Sequence, residues 1–222
     1  MATLLDGADP RLADLACQLD RHWRRTELYD GGERLDATRL DFSGLVLDGA
    51  RLAEGRVVEC TFEGASLRGA DMYYLAMSRC SFRGADLRAA WLYKGEAFRC
   101  DFREAALTDA FFGRLDALYC DFRGANLRGA HLRDFGWIDS DLRDADLSGV
   151  WLDWTRFGGC LLAGANFDGA TGTVVRTPRL VNVGSREKPK LLQGEHFLDW
   201  LRAAGARNVS YYVPPPPVPR DT

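Results

Sequence analysis

Cys80-Ser81-Phe82-Arg83-Gly84-Ala85-Asp86-Leu87-Arg88-Ala89-Ala90-Trp91-Leu92 sets a large apolar residue at every fifth position, with a small residue two places before each. The slot continues outward in both directions without a slip. It runs from Phe42, Leu47, Leu52 and Val57 through Phe102, Leu107 and Phe112 to Leu162 and Phe167. The residue two before it is small or apolar throughout, most often Ala or Cys. A period of five matches neither the 3.6-residue period of a helix nor the two-residue alternation of a strand. The repeat itself is therefore the structural unit.

A second period is nested in the first. Cys60, Cys80, Cys100, Cys120 and Cys160 recur at multiples of twenty, with Ser140 in the gap, and Phe42, Phe62, Phe82, Phe102 and Phe122 keep the same beat. Twenty residues make one coil of four sides. Residues twenty apart then stack on one wall at about 4.8 Å, the spacing of paired strands. Alternating small and large residues fill a narrow interior without overpacking. Each Leu or Phe buried there contributes roughly 1.5–3 kcal/mol, and a single coil can bury its apolar side only against stacked neighbours.

Gly84-Ala85-Asp86-Leu87-Arg88, Gly124-Ala125-Asn126-Leu127-Arg128 and Asp144-Ala145-Asp146-Leu147-Ser148 resemble the A(D/N)LXX unit of the pentapeptide repeat family. The resemblance extends over about residues 35 to 170. It implies an all-β fold, a right-handed quadrilateral β-helix of about six or seven coils, with the central Leu or Phe and the residue two before it pointing inward. Gly64, Gly84, Gly124 and Gly164 suit tight corners, and Asp or Asn before the central residue bonds nearby backbone in such turns.

Three segments follow. Residues 1–34 form an N-terminal capping segment, 35–170 the solenoid, and 171–222 a C-terminal extension. Asp9 and Pro10 open a candidate N-terminal helix, with Leu12, Leu15, Ala16, Leu19 and Trp23 on one face. Glu195 to Ala204 reads as a short helix stopped by Gly205, and Asn208 to Val213 as a strand before Pro214 to Pro217. This tail either caps the last coil or joins two subunits in a homodimer.

The chain of 222 residues has a formal net charge of −3, which gives no general attraction to nucleic acid. No apolar run is long enough to span a membrane, and the start lacks a basic region followed by an apolar core. These features point to a cytoplasmic setting. The cysteine ladder matches no metal-ligand spacing, and free Cys is good small apolar filler. No metal or cofactor is expected. The three histidines are scattered, and no nucleophile motif or phosphate-binding loop is present, so the chain does not read as an enzyme.

Function is left to the outward positions. The first wall, built on Phe42, Phe62, Phe82, Phe102 and Phe122, and the second, built on Leu47, Leu67 and Leu87, interleave Arg with Asp. The third wall carries Arg51, Asp71, Trp91, Phe111, His131 and Trp151 in one row, with Tyr73 and Tyr93 beside them and Tyr74 and Trp154 at the corner. The fourth adds Phe98, Leu118 and Tyr119. Tyr73, Trp91, Tyr93, Phe98, Phe111, Leu118, His131, Trp151 and Trp154 are the candidate interface residues. Aromatics each bury about 150–250 Å², and together they exceed what a monomer usually exposes. Two alternatives stand against an interface: the terminal segments fold over these walls, or the coil bulges at Ala97 and Ala117, which are small for interior positions.

The resemblance also carries a functional implication. Gyrase-protecting members of the family imitate duplex DNA and bind DNA gyrase, giving resistance to its inhibitors. Between residues 40 and 170 the chain has 20 acidic against 15 basic residues, so any mimicry would need acidic groups gathered on one side. The other reading is an interaction scaffold, or an immunity-type protein, that holds a protein partner on the aromatic wall.

Overall fold

A computed structural model describes residues 35–215. Coils of twenty residues stack with their equivalent positions in register. On the fourth wall the inward residue and its neighbours are regular strand: β1 (Asp36–Thr38), β2 (Arg56–Val58), β3 (Ala76–Ser78), β4 (Glu96–Phe98), β5 (Asp116–Leu118), β6 (Gly136–Ile138) and β7 (Thr155–Gly158). They pair in parallel with a constant offset, as in Val57 beside Met77 and Ala97 beside Ala117. The other three walls are ladders of single parallel bridges, for example Asp71–Trp91–Phe111–His131–Trp151. The solenoid has about seven turns.

The five-residue unit explains both features. Its central residue bonds down to the next coil, Phe82 N–H to the Asp101 carbonyl at 2.7 Å and Leu87 N–H to the Ala106 carbonyl at 2.7 Å. A turn then closes the corner, with Ala85 N–H donating to the Phe82 carbonyl at 3.0 Å. The corner residue takes a left-handed backbone. Gly84 (φ 62°) does so freely, whereas Tyr74 (φ 54°) and Trp154 (φ 61°) do so at a cost of about 1–2 kcal/mol each.

The interior is one continuous apolar column. Phe42, Phe62, Phe82, Phe102 and Phe122 stack with ring centroids 4.4, 4.7, 4.9 and 4.7 Å apart. Trp137 meets Phe122 edge-on at 6.0 Å and ends the stack where the slot turns to Leu142. Ala97 and Ala117 are buried inside this column and their pairing is unbroken, so the coil does not bulge there. A Cβ placed on Gly95 would lie 3.5 Å from Leu115 Cδ1. The nearest atom to that Cβ is the Leu75 carbonyl oxygen, at 2.6 Å, so Gly95 is what allows the backbones of the two coils to approach there.

All five ladder cysteines are buried and unpaired. Four of the thiols bond a carbonyl of the coil above, Cys60 that of Ala37 at 3.4 Å, Cys80 that of Val57 at 3.4 Å, Cys120 that of Ala97 at 3.3 Å and Cys160 that of Trp137 at 3.3 Å, while Cys100 bonds the Phe98 carbonyl at 3.6 Å. Ser140 makes the same bond to Ala117 at 3.0 Å. The neighbouring Cys100 thiol and burial push Cys80 up to about 11, and burial pushes Cys160 up to about 12. They are filler and not reactive groups.

From Thr171 the five-residue beat stops, but the wall continues. Strand β8 (Gly172–Val175) extends the fourth wall and is followed by the antiparallel pair β9 (Val181–Asn182) and β10 (Leu191–Leu192). Helix α1 (Glu195–Ala203) comes next, and β11 (Val209–Tyr212) pairs in parallel with β8 as the ninth strand of the sheet. Phe197, Leu198 and Leu201 of α1 are buried. Phe197 packs on Phe157 at 5.6 Å, and Trp200 on Phe167 at 5.9 Å. The helix therefore closes the lower end of the column. Gly205, with φ 97°, ends it as the sequence implies. The candidate helix after Asp9, and the tail beyond Pro215, lie outside the described residues. No described helix is long and apolar enough to cross a membrane.

Candidate functional site

The third wall is where the regular coil stops looking like a solvated surface. One bridge ladder brings Trp91, Phe111, His131 and Trp151 into vertical register. Their rings stack, Trp91–Phe111 at 4.7 Å, Phe111–His131 at 4.5 Å with planes 3° apart, and His131–Trp151 at 5.6 Å. Trp91 is 44% exposed and Trp151 53%. Rings stacked along the coil axis spend their faces on one another. What they turn outward is a row of ring edges, which carry the positive end of the aromatic quadrupole. Open faces remain only at the ends of the stack.

A second aromatic group flanks the upper end. Tyr73 stacks on Tyr93 at 5.9 Å and meets Tyr74 edge-on at 4.6 Å. Lys94 lies over all three rings, 5.8, 5.2 and 5.6 Å from the centroids of Tyr73, Tyr74 and Tyr93. Its pKa is raised by Tyr74 first and Tyr73 second. Tyr93 lies flat over Gly113, where a Cβ would stand 2.3 Å from its ring. That glycine is therefore what lets the tyrosine lie against the backbone.

On the fourth wall Phe98 and Leu118 are half-buried neighbours in register. Tyr119 packs edge-on to Phe98 at 5.9 Å, and Arg99 lies over both rings at 5.1 and 5.9 Å. Trp154, at the corner of the third wall, meets Tyr212 of β11 at 4.9 Å. The C-terminal strand thus packs on one side of Trp154, which is nevertheless as exposed as Trp91. The nine candidates fall into three groups: the stack with Tyr73 and Tyr93, the Phe98–Leu118 pair, and Trp154 beside the C-terminal strand. Lys94 and Arg99 belong with them and were missed. The signal was present, since Lys94 lies twenty residues after Tyr74 and shares its corner.

The charged walls differ in kind. Arg88 closes on Asp86 at 2.7 Å, Arg103 on Asp101 at 2.5 Å, Arg123 on Asp121 at 2.6 Å and Arg143 on Asp141 at 2.6 Å. The Arg88 guanidinium, with help from Arg68, holds the Asp86 carboxyl far below the usual range. At Asp101 burial opposes ionisation, and the bonds from Arg103 outweigh it, so its pKa is lowered too. These carboxylates are internally neutralised rows and not free acidic surface.

The family description "pentapeptide repeats" matches in 8 copies over residues 46–84, 59–94, 98–134, 120–159 and 140–171. These matches together cover more than half of the chain. No curated protein matches significantly. Among solved structures, full-length QnrB1, a plasmid-mediated fluoroquinolone resistance protein, is 21% identical with a TM-score of 0.35, over 63% of this chain and 77% of that one. HetL, involved in heterocyst differentiation regulation in Nostoc sp. strain PCC 7120, is 23% identical with a TM-score of 0.35, over 64% and 76%. Rfr23 of the cyanobacterium Cyanothece 51142 is 16% identical with a TM-score of 0.25, over 67% and 99%.

Proposed function

Taking as premise that this chain belongs to the pentapeptide repeat family, we propose that it is a non-enzymatic protein that binds a protein partner through its third and fourth walls. The observation that carries this reading is the open ring stack from Trp91 to Trp151, whose end members are 44% and 53% exposed. Large aromatics held open in fixed geometry are the usual anchors of protein interfaces. The corners support it as well. The first two walls turn mostly at glycine, whereas these two keep Tyr74, Lys94, Arg99, Tyr119 and Trp154 at positive φ. Five unpaired buried thiols are consistent with a reducing, cytoplasmic setting.

Replacing Trp91 and Trp151 together by serine removes the ends of the stack and leaves the interior untouched. In a pull-down from the native cytosol, the wild-type protein is expected to retain a partner that the double variant loses, with the melting temperature of the two unchanged. Retention by both forms would rule out the wall as the binding face.

The specific second reading is protection of DNA gyrase by DNA mimicry. The unbroken rod and the acidic excess of its coils favour it. The closed Asp–Arg rows weigh against it, since Asp101, Asp121 and Asp141 already hold guanidinium groups. A supercoiling assay of gyrase with a quinolone decides. Mimicry requires protection that collapses as salt rises and that survives the Trp91/Trp151 double substitution.

A further inference from the structure

Asp71 stands in the same row as the stacked rings, one coil above Trp91. It takes the turn shared by its counterparts, accepting the N–H of the residue two ahead: Tyr73 N–H to Asp71 Oδ1 at 3.1 Å, like Arg103 to Asp101 at 3.0 Å and Arg123 to Asp121 at 3.1 Å. At Asp86, Asp101, Asp121 and Asp141 the residue two ahead is arginine, and its guanidinium closes on the carboxylate. Asp146 is approached by Arg128 at 3.8 Å. At Asp71 the residue two ahead is Tyr73, and the carboxylate has no ion pair among the described residues. Arg51, one coil above, does not reach it.

The stack is also short by one ring at this level. Phe111 covers the lower side of Trp91, while the upper side faces the coil of Asp71, where a short side chain stands in place of a ring. An open notch of about 380 Å³ results, lined by Asp71, Tyr73 and Trp91. It offers a carboxylate held by its turn, an indole face and a phenol wall. A flat cation with two parallel donors satisfies all three, stacking on the indole and bonding the carboxylate. The guanidinium has that shape, whereas an ammonium is a compact, strongly hydrated point charge.

We propose that this notch is a socket for an arginine side chain of a protein partner, the guanidinium entering above Trp91 as the missing rung and closing on Asp71. The interaction reproduces between chains what the solenoid does four times within itself. It rests on the reading of the third wall as a protein-binding face and names the chemistry that the partner must bring to its upper end.

The probe is N-acetyl-arginine amide, with the lysine and citrulline analogues as controls, titrated while the indole N–H resonance of Trp91 is followed by NMR. The resonance is assigned by its loss in Trp91→Phe. The arginine probe is expected to shift it saturably, the lysine probe to bind more weakly and neutral citrulline not at all. Asp71→Asn should weaken the arginine probe about tenfold or more, the loss of one charged hydrogen-bonded partner. The variant keeps the fold, because Asn126 and Asn166 already make the same turn bond. No shift in the wild type, or equal binding by Asp71→Asn, would overturn the socket. If the socket fails while the Trp91/Trp151 variant still loses its partner, the wall reading survives alone. If the probe binds while that variant keeps its partner, the notch accepts a guanidinium but is not where the partner docks, and the wall reading and the socket both fail.

Discussion

Ser140 interrupts the cysteine ladder without disturbing it, because an oxygen can do what the thiols do. Its hydroxyl donates to the Ala117 carbonyl at 3.0 Å and accepts the Cys120 N–H at 3.1 Å. Cys120 bonds the Ala97 carbonyl at 3.3 Å and takes the Cys100 N–H at 3.4 Å. The position requires a small side chain able to bond the coil above, and sulfur chemistry is incidental. Cys120→Ser is therefore expected to change stability by less than about 1 kcal/mol, the scale of one exchanged hydrogen bond. Cys120→Leu should cost about 1–3 kcal/mol by overpacking. Chemical denaturation of the two variants checks the pair, and a large loss in the serine variant would refute the account. This much was legible from the twenty-residue beat, since Ser140 stands on it. The bond the ladder makes was not, because periodicity marks which side chains face inward and not which carbonyl they meet.

At the scale of elements, the helix and the last strand were legible to different degrees. Phe197, Leu198 and Leu201 lie on one face of any helix drawn through them, and Gly205 stops it, so α1 can be read from its own residues. Strand β11 can be read as a strand, but its partner cannot. Val209 to Tyr212 carry no repeat, and only the folded chain lays Tyr211 beside Val174 and Tyr212 beside Val175. Together these elements close the column, α1 by covering Phe157 and Phe167, and β11 by extending the sheet. Leu201 is fully buried at that junction. Leu201→Asp puts a charge among apolar side chains with nothing to pair it. The helix should lift from the end of the column and leave an open solenoid edge, which invites association. Light scattering after size-exclusion chromatography should show higher oligomers for Leu201→Asp and not for the exposed change Arg202→Asp. A wild-type profile for Leu201→Asp would mean that α1 is not what closes the column.

For the whole molecule, the five-residue slot fixes the architecture because every coil repeats one solution, and stability accrues from each repeat and its contacts with neighbours. The candidate surface was legible only as a set. The row from Trp91 to Trp151 follows from counting, but the consumption of its faces by stacking, and the empty rung beside Asp71, depend on ring orientation that no spacing encodes. The same logic makes a deletion test sharp. Removing residues 101–120 joins Cys100 to Asp121, which restores the Cys-Asp-Phe order of Cys100, Asp101 and Phe102. Each wall keeps its register, and the ring stack shortens to Trp91, His131 and Trp151. Removing residues 101–118 takes out nearly the same mass but joins Cys100 to Tyr119 and breaks the five-residue beat. Small residues such as Cys120 and Ala125 would then occupy the central slots of the later coils, and charged groups such as Arg123 and Arg143 would be driven into the column at the small interior slots. The first variant is expected to unfold cooperatively at a somewhat lower temperature, having lost one repeat and one coil-to-coil interface. The second is expected to lose its cooperative transition. Circular dichroism with thermal melting reads both. Equal stability of the two variants would mean that the register of the coil, and not merely its composition, has been given too large a role.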